Sequence, residues 1–158
     1  MTGVIPKMKK HLDHIDEEII KLLHANARMP LKEIAKKVYL SSPAVSARIE
    51  RLEENGIITG YRAMINPVEL GYHIKAFVNV GVAPERKQEF YDFIRPSKYV
   101  VECNNVTGDF TMLVEVMFKD TEELDEFVGE LQKFGSTQTQ IVFSTSVENR
   151  GIPERSDD

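Results

Sequence analysis

The segment from Ile34 to Gly56, IAKKVYLSSPAVSARIERLEENG, most limits what this chain can fold into. Two short apolar patterns of helical period flank Tyr39-Leu40-Ser41-Ser42. Before that turn, Ile34, Ala35 and Val38 form the buried stripe of a short helix over residues 31–38. After it, Ser41 or Ser42 can cap the first free N–H groups, and Pro43 suits the first turn because it has no N–H to leave unpaired. Val45, Ile49 and Leu52 make the buried stripe of this helix, and Asn55-Gly56 ends it. A further stripe upstream, Leu12, Ile15, Ile19, Leu22 and Leu23, predicts a helix over residues 13–26, with Asp16, Glu17 and Glu18 early, where they suit an N-terminus.

On the helix opened by the serines, Pro43, Ala44, Ala47, Glu50, Arg51 and Glu54 point away from the stripe, with Ser46 and Arg48 on its flanks. Two helices joined by so short a turn, the second small and polar at its start, form a helix-turn-helix pattern. A major groove about 12 Å wide admits a helix whose first residues are short enough for close approach. Ser41, Ser42 and Ser46 can donate to phosphates or base edges, Arg48 and Arg51 can reach phosphates or guanine, and Lys32, Lys36 and Lys37 can clamp the backbone. On spacing alone, a plain three-helix subdomain with solvated arginines stays open. Tyr39 counts against the pattern, since that turn often uses glycine at positive φ.

Charge divides the chain. Residues 1–62 carry 11 Lys+Arg against 8 Asp+Glu, whereas residues 63–158 carry 9 against 17, so a net −5 conceals a basic N-terminal third. Neither a signal-peptide core nor a run of 18 apolar residues occurs, which predicts a cytoplasmic location and no membrane partner. Cys103 is the only cysteine and lies in an apolar strand-like run, expected as a buried thiol.

With these features in place, residues 12–72 resemble the N-terminal half of the Lrp/AsnC family of feast/famine transcription regulators. The resemblance rests on Leu12-Asp13-x-x-Asp16, Ala27-Arg28, Ile34-Ala35, Leu40-Ser41, Val45, Arg48-Ile49, Leu52-Glu53, Gly56-Ile57-Ile58 and Gly60-Tyr61, all at fixed spacing. It implies a winged-type helix-turn-helix head that binds double-stranded DNA, with residues 42–55 as recognition helix. The residues expected at the DNA are Lys32, Lys36, Ser41, Ser42, Pro43, Ser46, Ala47, Arg48 and Arg51.

Beyond Pro67 and Gly71 the hydrophobic period changes to two. Ala76, Val78, Val80 and Val82 mark a strand. Pro84 opens a helix carrying Phe90, Phe93 and Ile94, and a strand follows over residues 99–106. Gly108-Asp109 turns into Phe110, Met112, Val114, Val116 and Phe118; Asp120 to Glu123 has capping-box character before Leu124, Phe127, Val128, Leu131 and Phe134; and a last strand spans residues 137–147. The order βαββαβ predicts a ferredoxin-like antiparallel sheet with both helices on one face, hence an α+β chain. Alternation places Phe77, Val101, Cys103, Leu113, Met117 and Val142 on the other face, which is too apolar to stay wet and is expected to form a homodimer.

The resemblance extends to about Val147 and implies such dimers, assembled further into tetramers or octamers. It also implies an amino-acid effector site between dimers at Val106, Thr107, Gly108, Asp109 and Thr111, with Thr137, Gln138 and Thr139 opposite. Family members commonly carry Gly-Asp-x-Asp, whereas here Thr111 puts a neutral hydroxyl where an acid would face an ammonium, so common amino acids are expected to bind weakly. The expected organisation is a head over 1–62, a linker over 63–72, an oligomerisation and effector domain over 73–150 and a tail over 151–158.

Catalysis is not expected. His11, His14, His24 and His73 have no cysteine partner or Glu-x-x-His pair, His11-x-x-His14 reads as solvated, and no nucleophile-base arrangement, Walker loop or GxGxxG occurs, so no cofactor or metal is expected. A ligand-only module would have no need of the basic third. An architectural DNA organiser would use the same head as a local regulator, and both readings stay open.

Overall fold

Asp13 starts the first helix, α1 (His14–Ala25), through a capping box in which its carboxylate accepts from Asp16 N–H at 2.8 Å and the Asp16 carboxylate accepts from Asp13 N–H at 3.3 Å. α2 (Leu31–Lys37) ends at Val38, and Leu40 N–H reaches back to Ala35 C=O at 3.0 Å, the six-to-one bond of a Schellman closure. That closure needs a left-handed residue between them, and Tyr39 supplies it at φ 56°. The turn therefore adopts the geometry glycine usually serves, in spite of the Cβ. Of the two serines, Ser41 caps α3 (Ser42–Glu54), its Oγ accepting from Ala44 N–H at 3.3 Å. Ile19, Ile34, Ala35, Val38, Val45 and Leu52 are the core of the three helices.

This computed structural model describes residues 12–152. They fall into two units: residues 12–64 with 149–152, and residues 65–148. Residues 149–152, expected at the end of the second domain and in the tail, pack with the helical head. Among the described residues of the head no strand is formed, and residues 59–66 have no ladder partner within the chain.

In the second unit a 3-10 turn (Val68–Leu70) leads to β1 (Ile74–Val80), a 3-10 turn (Pro84–Arg86) into α4 (Lys87–Ile94), then β2 (Val100–Asn105), β3 (Met112–Phe118), α5 (Thr121–Gln132) and β4 (Thr137–Ile141). The sheet is antiparallel throughout, in the order β2-β3-β1-β4. Asp120 caps α5 by accepting from Glu123 N–H at 2.9 Å; the Glu123 carboxylate reaches Lys119 N–H at 3.2 Å rather than closing on Asp120. The helices cover one sheet face, where Ala76, Val78, Val80, Met112, Val114, Val116 and Phe118 are buried against Phe90, Ile94, Leu124, Phe127 and Leu131.

Two strand expectations are corrected. Cys103 lies opposite Val114 and packs on the helix-covered core, because an irregularity between Val100 and Glu102 shifts the register of β2 and moves the following residues to the other face. Val101 sits at that irregularity, exposed. Cys103 itself is half-buried, and burial pushes its thiol pKa up. β4 stops at Ile141 rather than Val147 because its only neighbour, β1, runs out: Ala76 pairs with Ile141, Val142 N–H still reaches Lys75 C=O at 2.8 Å, and beyond it no partner strand is left.

The end of β1 and the turn after α5 meet backbone to backbone. Gly81 N–H donates to Ser136 C=O at 2.8 Å, and a Cβ added to Gly135 would stand 1.9 Å from the Gly81 carbonyl oxygen. Gly135→Ala must therefore push these segments apart, at an expected cost of about 1–3 kcal/mol, read as a lower thermal midpoint by circular dichroism. An unchanged midpoint would show that the contact yields without cost.

Candidate functional site

The first candidate surface is the start of α3 with the turn before it. Ser41 is exposed but occupied as the helix cap, and Ser46 Oγ donates to Glu50 at 3.1 Å. Pro43 and Ala47 are exposed, and Ser42 is partly so. Lys32 and Lys36, with Lys37 beside them, are exposed on α2, and none makes an ion pair among the described residues.

The two arginines are engaged elsewhere. Asp16 is only 1% exposed, and its carboxylate accepts from Arg48 at 2.8 Å and from Arg51 at 2.6 Å; Arg48 also donates to Asp13 at 2.7 Å. Arg48 is 25% and Arg51 52% exposed, so one side chain is largely folded onto α1 and the other is half free. This Asp16–Arg48–Arg51 cluster joins the N-terminus of α1 to the middle of α3. The hydrogen bond from Arg48 is the main reason the Asp13 carboxyl titrates below its ordinary value, and the bond from Asp16 N–H adds to it.

The cluster gives the arginines a structural duty that the helical wheel does not reveal. Asp16→Asn would leave two guanidiniums facing a neutral amide; with Arg51 half in water, an expected loss of about 2 kcal/mol follows. Thermal unfolding of the full chain should show the head melting earlier. The Asp13 contribution has a definite pH sign: a carboxyl with a lowered folded pKa stabilises above its unfolded value and loses that effect as pH falls through the folded one, so the head should weaken below about pH 4.

The residues implied for an effector gather at one end of the sheet but do not share one face. Val106 N–H donates to Thr111 C=O at 2.9 Å, and Thr111 N–H donates to Val80 C=O at 3.2 Å. Val80 in turn pairs with Thr137. The Thr111 hydroxyl is spent inside the chain: it accepts from Val82 N–H at 2.9 Å and lies 3.1 Å from Val82 C=O, to which it can donate. Thr137 and Thr139 lie on the helix side of β4, whereas Gln138, paired with Asn79, lies on the opposite face. Thr107, Gly108 and Asp109 are exposed, with Gly108 at φ 113°, and the Asp109 carboxylate has no partner among the described residues.

The open sheet face carries Phe77, Leu113, Met117 and Val142, all part-buried in the single chain, around a Lys75–Glu115 ion pair at 3.0 Å. With Cys103 removed to the core, this face is less apolar than alternation predicts. The head also has a recess of about 470 Å³ between α1 and residues 57–62, lined by Leu12, Ile20, Leu23, Ile58 and Ile152. The sequence pattern does not reveal this recess, and Ile152 comes to it from the far end of the chain. Among the described residues no three His, Cys, Asp or Glu side chains group to hold a metal, and His11 lies outside the described residues.

Residues 12–59 match the winged helix-turn-helix DNA-binding family, and residues 75–152 match the Lrp/AsnC ligand binding domain. An HTH-type transcriptional regulator of Pyrococcus furiosus, FL11, is 35% identical over 149 residues, which cover 92% of this chain and 99% of that protein. The chain belongs to the Lrp/AsnC family. Among solved Lrp/AsnC-type structures, a Neisseria meningitidis transcriptional regulator in complex with L-Met superposes with a TM-score of 0.85 at 25% identity, covering 90% of this chain and 97% of that one. The feast or famine regulatory protein of Mycobacterium tuberculosis complexed with L-methionine gives 0.83 at 28% identity, covering 90% and 99%. The α+β architecture, a helix-turn-helix followed by a four-stranded antiparallel sheet with two helices, is the one the Lrp/AsnC resemblance implies.

Proposed function

We propose that this transcriptional regulator of the Lrp/AsnC type reads duplex DNA by setting the first turns of α3 into the major groove. The observation that carries the reading is the strip of exposed Pro43 and Ala47 with partly exposed Ser42, small enough for close approach, beside Lys32, Lys36 and Lys37, which make no ion pair among the described residues. The lysines hold phosphates and set the register, and the α3 side chains read base edges. Arg51, half exposed, can reach a phosphate while still touching Asp16; Arg48 acts mainly by holding α3 in place.

The lysines are therefore cleaner probes than the arginines. Lys36→Ala with Lys37→Ala should leave the fold intact, weaken binding about equally across sequences, and lower the slope of log affinity against log salt by about 2. Fluorescence anisotropy with a labelled duplex over a salt series measures both quantities. A folded double mutant with wild-type affinity and slope would sink this placement of the DNA.

Dimerisation through the open sheet face would supply the twofold symmetry that paired half-sites require. Every 100 Å² of apolar surface covered there contributes about 2.5 kcal/mol of gross drive. Leu113 is the residue to test, because it faces Asn79 and Asn104 across the strands, whereas Met117 faces Lys75, which would shelter an introduced acid. Leu113→Glu should convert a micromolar dimer to monomer in sedimentation velocity. A monomeric wild type at that concentration would refute the interface.

Two structural relatives are solved with methionine. By this likeness an amino acid would sit at the Thr107–Asp109 turn, with the unpartnered Asp109 carboxylate facing its ammonium and exposed N–H groups facing its carboxylate. Thr111 contributes by holding the turn to Val82 rather than by touching the ligand. Higher assembly, which would bring β4 of another copy over the exposed turn, accords with so open a site. A family of DNA-binding regulators acting on the genome also accords with a cytoplasmic location and a non-catalytic role; no described helix is long and apolar enough to cross a membrane.

A further inference from the structure

Tyr39 is the only residue other than glycine at positive φ among the described residues, and it is 93% exposed. Both facts run against stability. A side chain with a Cβ is strained in the left-handed region, where glycine is not, and a ring in water returns no packing. Among the described residues Tyr39 makes no hydrogen bond and no ring contact that would offset either term. Its backbone is nevertheless held firmly, because Leu40 N–H closes on Ala35 C=O immediately after it. A rigidly mounted, wholly solvent-facing phenol results, with Lys36 and Lys37 on one side in sequence and the start of α3 on the other.

Resting on the DNA-binding reading above, we propose that Tyr39 is a DNA-backbone contact, its hydroxyl donating to a phosphate oxygen as α3 enters the groove. The turn between two such helices lies where the chain crosses from the phosphate-facing lysines to the groove-facing helix, so a side chain projecting from it meets the sugar-phosphate rim. Tyrosine suits that rim: the ring covers sugar, and the O–H donates to an anionic acceptor. With only two rotatable side-chain bonds on a pinned backbone, little entropy is lost on contact. The strain at φ 56° is then retained for recognition rather than for folding.

The test compares the full-length wild type, Tyr39→Gly and Tyr39→Phe on a duplex selected from a random pool by the wild type, and on a scrambled duplex at low salt. Tyr39→Gly should melt at or above the wild-type temperature, since strain is relieved, yet bind both duplexes about tenfold more weakly. Tyr39→Phe, which keeps the ring and the strain, should lose a smaller factor of about five, that of the hydroxyl alone. Neither should change the salt slope, because a phenol releases no counterion. Wild-type affinity in either variant overturns the assignment of Tyr39. A wild type that enriches no duplex overturns the DNA reading itself, and a loss confined to the selected duplex would make Tyr39 a base reader and refute the backbone contact.

Discussion

A single buried carboxylate holds the head in the form its function needs. Asp16 caps the start of α1 and at the same time receives guanidinium groups from two positions of α3. A charge so far removed from water is tolerable only when it is fully paired, and the pairing is geometric: the arginines reach Asp16 only if α3 crosses α1 at one place and one rotation. The orientation of α3, the helix proposed to meet DNA, is thus set by electrostatics behind it as well as by Val45 and Leu52 beneath it.

That arrangement divides labour along α3. Arg48 is largely tied to the protein and Arg51 only in part, so in the proposed reading most of the contact with DNA falls to α2, the Tyr39 turn and the small residues opening α3. On that reading a helix-turn-helix with Arg48 turned inward and Arg51 shared with Asp16 draws its electrostatic attraction mainly from lysines, which are mobile point charges, and its fit from shape at the groove. The strained turn belongs to the same picture, since the one positive-φ position not filled by glycine among the described residues presents an aromatic ring to solvent.

The second unit solves a different problem. Its sheet has one face sealed by α4 and α5 and another where apolar residues surround the Lys75–Glu115 pair. Such a mixed face tolerates water while free and would offer both burial and register to a second copy in the proposed dimer. At the sheet end, Thr111 ties the start of β3 to Val82, just after β1, so the exposed turn before it is mounted on rigid structure. A small ligand binding there would be felt directly in the sheet rather than in a loose loop.

The three helices of the head, the βαββαβ order, a serine cap at Ser41 or Ser42 and the cap at Asp120 were legible in the sequence, because each depends on residues within one or two helical turns or on simple alternation; the structure chose Ser41. Helical period and strand period are local properties, and so was the warning that Tyr39 would occupy a position suited to glycine. The partners of Arg48 and Arg51 were not legible: Asp16 lies 32 and 35 residues away, and which carboxylate a guanidinium meets is decided only when helices pack. Nor could alternation place Cys103, since one irregular residue in β2 inverts the face of everything after it, or find the end of β4, which stops where β1 has no more backbone to offer. Local chemistry in the sequence determined which elements form and how the helices are capped. Tertiary structure alone decided which charges are spent on the protein and which stay exposed, because burial and long-range pairing are properties of the packed chain.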